Sequence, residues 1–129
     1  MIERDIIDNR KVSSGRSRAD RLQAIDAEIL REKAEALGRA GLQLEEALDD
    51  LERVREAMHM MERRLQMCSG SPEKPSSLRA ALLDLAARRG ILCDRARLAY
   101  VYLIIQREAV GMRNHLDVER CYRISERVR

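Results

Sequence analysis

One apolar stripe with a repeat of seven residues constrains this chain more than any other feature. Its first series is Leu37, Leu44, Leu51, Met58 and Leu65. A second series lies three residues further along in each repeat, at Ala40, Ala47, Val54 and Met61. Apolar residues at alternating intervals of three and four are typical of helices that pack lengthwise with coiled-coil geometry. The stripe therefore predicts an all-α protein built on one long helix.

A loop and a second patterned segment follow this helix. Residues 68–77 contain both prolines and four serines, a composition that predicts a loop. The next apolar stripe comprises Leu78, Leu82, Leu85, Leu92, Ala96, Ala99 and Leu103. If the second helix continues through Gly90, the two helices form a long antiparallel hairpin, in which facing residues have numbers that sum to roughly 143. If it breaks at Gly90, the fold is a three-helix bundle; the unbroken phase of the stripe favours the hairpin.

These segments predict one helical domain over residues 20–129. Ser17 followed by Asp20 resembles a capping arrangement, so we expect the long helix over about residues 20–67 and the second helix or helix pair over 78–113. Residues 1–19 are expected to form a flexible, basic leader. Residues 114–129 are expected to form a short C-terminal helical tail with a helix over 116–122. The tail residues expected to pack on the hairpin are Leu116, Val118, Cys121, Tyr122 and Ile124.

Charge and composition exclude several classes of protein. Residues 22–67 carry seven basic and eleven acidic groups, whereas residues 68–129 carry twelve basic and seven acidic groups. Such complementary halves satisfy each other within one molecule or between two copies, so the net charge of +3 does not require a nucleic-acid partner. The longest apolar run, residues 98–105, is far shorter than the roughly 20 residues of a membrane helix. Three widely spaced cysteines and no signal peptide predict a cytoplasmic protein.

The second helix also carries polar residues in a second seven-residue register. Leu98, Ile105 and Met112 recur at seven, while Glu108 and His115 occupy companion positions. In the hairpin register Glu108 lies close to Lys33 and Glu35. This placement predicts an ion pair of Glu108 with Lys33, or one that uses Arg31, which fixes the alignment of the helices. The alternative is a metal or acid/base site at Glu108 and His115. The Glu-x-x-His pairs of helical di-metal proteins are missing from the sequence, so no metal, cofactor or catalytic residue is expected.

Three glycines suggest where helices come close together. Gly38 and Gly41 lie inside the first helix, where each costs roughly 1 kcal/mol relative to alanine. Gly111 would lie opposite them in the hairpin. We therefore predict a close helix crossing at these glycines, surrounded by ion pairs.

Three stretches carry a resemblance to known proteins: residues 25–46, residues 102–115, and Tyr122 to Ile124. Together they resemble a family of small, uncharacterised all-helical bacterial proteins with a domain of unknown function. The resemblance implies a small bacterial helical protein and assigns no catalytic residue. Ser125 stands where the family pattern has a proline.

A two-helix hairpin leaves part of each apolar stripe exposed to water, which predicts a homodimer with an interface on the order of 2,000 Å². The function expected from this is that of a non-enzymatic interaction or scaffold protein. One alternative is a nucleic-acid-associated protein whose basic N-terminal arm consists of Arg10, Lys11, Arg16, Arg18 and Arg21. The other is a helical metal or ligand binder around Glu108 and His115.

Overall fold

The structure is a computed structural model that describes the backbone of residues 2–68 and 75–129 and the side chains of residues 17–68 and 75–129. Four helices follow one another: α1 (Ile2–Gln66), α2 (Pro75–Ala109), α3 (Leu116–Tyr122) and α4 (Ile124–Arg127). The described part of the chain contains no strand. The predicted all-α class and the short helical tail are confirmed.

Helix α1 begins much earlier than the capping pattern indicated. It starts at Ile2, so the backbone over most of residues 1–19, predicted as a flexible leader, is helical. No proline interrupts this stretch, and the serines and glycine in it reduce helix propensity by only about 0.5–1 kcal/mol each. The C-terminal end of α1 lies close to the predicted one, since the helix ends at Gln66 and the predicted limit was residue 67.

Internal contacts divide the chain into two units, Met1–Ala36 and Leu37–Arg129. The first unit consists of α1 residues alone. Its described large apolar side chains are all exposed, at Leu22, Ile25, Ile29 and Leu30. Arg31 forms an ion pair of 2.9 Å with Glu28, one turn away on the same helix. Both side chains are exposed, so this pair contributes little to stability.

The second unit is a helical hairpin in which α1 from Leu37 onwards packs antiparallel on α2. Asp50 and Arg95 form an ion pair across the two helices at 3.2 Å, close to the predicted register. Leu44, Leu48 and Leu51 are the largest fully buried side chains. Each leucine buried in this way contributes on the order of 2 kcal/mol through the hydrophobic effect. The hairpin core comprises Ala40, Leu44, Ala47, Leu48, Leu51, Cys93, Ala96 and Leu103.

Helix α2 is continuous through Gly90, so the hairpin is the correct one of the two predicted alternatives. It begins at Pro75, two residues before the end of the predicted loop, because proline is well suited to the first position of a helix. Residues 69–74 lie outside the described residues. The helix ends at Ala109 rather than near residue 113.

Gly111 provides the reason for this earlier end. It has a positive φ of 91°, and its N–H donates to the carbonyl of Glu108 at 3.0 Å. The next N–H, that of Met112, donates to the carbonyl of Arg107 at 2.9 Å. These two bonds form a Schellman motif, which terminates a helix at a glycine in the left-handed conformation.

The predicted close crossing at Gly38, Gly41 and Gly111 is wrong within the described structure. A Cβ atom added at any of the three meets no atom within 4 Å. Gly111 supplies the left-handed conformation that terminates α2. No neighbouring atom lies close enough to Gly38 or Gly41 to require a glycine at either position.

The C-terminal tail closes one side of the hairpin. Val118 of α3, Ile124 of α4 and the nearby Val128 join the hairpin core. Tyr122 is half-buried against the same core, as predicted. Leu116 and Cys121, which were also expected to pack there, are exposed instead.

Candidate interaction surface

Helix α2 presents a second apolar stripe on the side turned away from the hairpin core. We call this stripe the outer face of α2; it consists of Ile91, Leu98, Val101, Tyr102 and Ile105. All five side chains are exposed, and Leu98 has 71% of its surface accessible. Ile91, Leu98 and Ile105 recur at intervals of seven, which keeps them in line along the helix. Helix α2 is therefore apolar on two sides, and the described residues of the second unit cover one of them.

A groove of about 610 Å³ lies beside this face. Leu98, Val101, Tyr102 and Ile105 form one wall, and Gln43 and Glu46 of α1 contribute to the opposite wall. The groove belongs entirely to the second unit. Its walls are mainly apolar with polar groups at the edge, which is the character of a surface that receives another helix.

A positive charge marks the N-terminal end of the groove. The Arg95 guanidinium pairs with Asp50 at 3.2 Å and retains 52% exposure. Arginine carries five N–H donors, so this contact leaves several donors available. The N-terminal end of the outer face can therefore accept a further carboxylate.

A negative charge lies near the C-terminal end of α2, outside the lining of the groove. Glu108 is 59% exposed, and its Oε1 lies 3.4 Å from His115 Nε2. The Arg107 Nε–H donates to His115 Nδ1 at 3.3 Å. Because Nδ1 accepts this bond, neutral His115 carries its proton on Nε2, facing Glu108. Glu108 and His115, which were placed together only in the alternative of a metal or acid/base site, therefore meet, and the structure adds Arg107 as their partner.

This cluster holds the turn after α2 in place. Arg107 Nη2 donates to the Asn114 carbonyl at 3.1 Å, and Asn114 Oδ1 accepts the Leu116 N–H at 3.1 Å. Within the described residues no group of three His, Cys, Asp or Glu side chains is arranged to hold a metal ion. Lys33 lies in the first unit and Glu108 in the second, so their predicted pairing stays a prediction.

Two tyrosines attach the tail to the hairpin. The Tyr100 hydroxyl donates to Glu119 at 2.7 Å, and the Tyr122 hydroxyl donates to Glu45 at 3.0 Å. Burial, followed by the contact with the Glu119 carboxylate, raises the pKa of Tyr100 to about 12. Burial and the bond to Glu45 likewise raise the pKa of Tyr122. Both phenols therefore serve as neutral donors that fix the tail.

The apolar stripe of α1, whose exposed part was expected to contribute to a homodimer interface, lies mostly inside the hairpin. Leu44 and Leu51 are fully buried, and Leu37, Met58 and Leu65 are half-buried. Gly38 is exposed and Gly41 half-buried. Ile91, Tyr102 and Arg95 were missed as surface residues, although the second register of α2 passes through the same face. The spacing of that register indicated an apolar face, but the sequence analysis interpreted the face as one that packs against α1.

The basic arm is only partly described. Arg18 and Arg21 are exposed, whereas the side chains of Arg10, Lys11 and Arg16 lie outside the described residues.

No helix in the described part of the chain is long and apolar enough to span a bilayer. Comparison with family models, curated proteins and solved structures finds no match to this chain. The resemblance to a family of small bacterial proteins therefore stays a prediction.

Proposed function

We propose that this protein is a non-catalytic helical interaction module that works as a homodimer, with the outer face of α2 as its contact surface. The observation that carries the proposal is the exposure of five large apolar side chains on one side of α2, four of them contiguous from Leu98 to Ile105. Contiguous exposed apolar surface of this kind is uncommon on monomeric proteins and marks interaction sites.

The two-sided character of α2 favours a helical partner. A helix with two apolar sides is normally covered on both, whereas the described residues of the second unit cover one side of α2. A second hairpin placed on the outer face completes a four-helix bundle, the usual arrangement for paired hairpins. The groove beside Leu98 and Tyr102 provides space for the side chains of such a helix.

A scaffold role suits the chemistry of this surface better than catalysis. The polar residues at the groove are Gln43, Glu46 and Arg95, and the remaining lining is apolar. Such a lining binds by burial of area and by charge pairing at the rim. We also propose that the protein is bacterial and located in the cytoplasm, as expected from the sequence.

Sedimentation equilibrium tests this function with a matched pair of variants. Leu98 and Leu83 are similarly exposed on α2, at 71% and 73%, but Leu83 lies outside the groove and about 22 Å nearer the start of the helix. We expect a wild-type dimer at micromolar concentration, weakened about tenfold or more by Leu98→Glu, because dimerisation would bury the new carboxylate. Leu83→Glu should leave the dimer unchanged.

Two results would contradict the proposal. A wild-type chain that stays monomeric well above micromolar concentration would exclude self-association as the function. Equal weakening by Leu98→Glu and Leu83→Glu would exclude the outer face as the contact surface. Circular dichroism of both variants confirms that the helices remain folded.

A further inference from the structure

We infer that the first unit, Met1–Ala36, pairs with the same unit of a second copy, with the two helices antiparallel about a two-fold axis near Ala24. The contact surface is an apolar stripe formed by Leu22, Ile25 and Ile29, which we call the N-terminal stripe. It lies in a different unit from the outer face of α2, so this pairing goes beyond the proposed contact and is independent of it.

The described residues of the first unit leave this stripe open. Leu22, Ile25 and Ile29 are 59%, 55% and 45% exposed, and their intervals of three and four align them along one side of α1. The unit consists of a single helix, and a helix gains most of its stability by packing an apolar side against a neighbour. The cover of the N-terminal stripe therefore comes from outside the first unit.

Charged residues beside the stripe are complementary to themselves in reverse order. Arg21 and Glu28 are seven residues apart, so they lie on the same flank of the stripe, and both are exposed. An antiparallel two-fold brings equivalent flanks together, so Arg21 of each copy faces the partner's Glu28. Glu28 also holds Arg31 at 2.9 Å on its own helix, and a carboxylate has lone pairs for both guanidinium groups. Charge complementarity therefore selects a second copy as the partner.

The apolar side chains pair in the same register. Leu22 faces the partner's Ile25 on both sides of the axis. Ile29 lies against the partner's Arg18, whose aliphatic stem can cover apolar surface while its guanidinium stays in water. Arg18 is exposed, and this register brings it close to the partner's Glu32. Apolar groups thus occupy the centre of the contact, and opposite charges meet at its two ends.

Other alignments of the same stripe bring like charges together. In parallel packing Arg18 faces the partner's Arg18 and Glu32 faces the partner's Glu32 within the stripe, although the flanks would pair Arg21 with the partner's Asp26. Antiparallel packing shifted by one repeat of seven places Glu28 beside the partner's Glu28. Like charges that meet across an interface oppose association. Of the three alignments, the first alone avoids such contacts.

Charge reversal tests this pairing by sedimentation equilibrium of the full chain. We expect Arg21→Glu and Glu28→Arg each to raise the dissociation constant for self-association about tenfold, because two attractive contacts become repulsive. An equimolar mixture of the two variants should return to within about threefold of wild type, since each chain supplies the charge that the other needs. Asp26→Arg, a change at an exposed residue on the opposite flank, serves as the control and should have no effect.

The outcomes separate this contact from the outer face of α2. Restoration in the mixture supports pairing between molecules, since neither single variant regains an opposite charge within its own chain. Single reversals without effect, or a mixture that stays weakened, would overturn the pairing, and weakening by Leu98→Glu would then still support the outer face. An Asp26→Arg variant that is as weak as Arg21→Glu would overturn the antiparallel orientation. A monomeric wild type would overturn both contacts. Circular dichroism of each variant shows whether a loss of folding accounts for any effect.

Discussion

Tyr100 connects the hairpin to the C-terminal tail through the hydrogen bond that its hydroxyl group donates. Its hydroxyl donates to the Glu119 carboxylate at 2.7 Å, a bond that exists only while the phenol is neutral. Ionisation would place two negative charges in contact in a partly buried position. The fold therefore favours the protonated phenol, which is why its pKa lies above the ordinary value of 10.0.

The raised pKa predicts a loss of stability at high pH. Because the pKa of Tyr100 is higher in the folded than in the unfolded chain, its contribution is complete below pH 10.0 and is lost as pH rises towards about 12. Ultraviolet titration should show a tyrosine ionising near the top of this interval. Tyr100→Phe should remove that component, whereas Tyr102→Phe should retain it. A titration in which Tyr100→Phe leaves the highest component in place would contradict the assignment.

The glycines of the long helices distinguish the interior of a helix from its end. Gly38 lies within α1 with open space around it, and Gly111 follows α2 with φ of 91°. Alanine at the first position lowers the entropy of the unfolded chain without a steric cost. At the second position it must adopt a left-handed conformation that disfavours side chains. The same substitution therefore has opposite consequences at the two sites.

We expect Gly38→Ala to increase the free energy of unfolding by about 0.5–1 kcal/mol and Gly111→Ala to decrease it by about 1 kcal/mol. Urea unfolding at one fixed protein concentration measures both changes, and Gly90→Ala should agree with Gly38→Ala. A destabilising Gly38→Ala would mean that the space beside this glycine is occupied in solution, as in the close crossing first predicted from the sequence.

The arrangement of helices could be predicted because the responsible signals are local. Heptad spacing defined α1 and α2, and the proline-rich segment placed the reversal between them. The start of α1 was missed because the segment before residue 20 contains weak helix formers rather than a true break. Leu48 was missed as a core residue for another reason. A two-helix seam needs only a narrow stripe, but the tail adds a third packing surface and widens the buried side of α1.

The sequence predicts that α2 has apolar residues in two registers, but it does not predict which of the two packs on α1 and which stays exposed. Both registers of the helix are apolar, and their spacing is equally compatible with packing on α1. The choice between them depends on the fit of whole helices, in which Ala96 and Cys93 allow the approach that the larger Leu98 and Ile105 would hinder. The core side combines these small residues with the larger Leu92 and Leu103, and this mixed fit, rather than the apolar spacing, distinguishes it from the outer face. No single-residue propensity contains this information.

Folding and association are coupled if the outer faces of two molecules cover each other. A folded dimer that dissociates as it unfolds gains stability with concentration, because mass action favours the associated state. A tenfold increase in concentration contributes about 1.4 kcal/mol per dimer, which raises the melting temperature by about 2–3 °C for a dimer of two chains of this size. Differential scanning calorimetry over a series of concentrations measures this shift. The melting temperature of Leu98→Glu should depend less on concentration than that of the wild type, and Leu83→Glu should follow the wild type. A wild-type melting temperature that stays constant across the series would show that the hairpin owes none of its stability to a second copy.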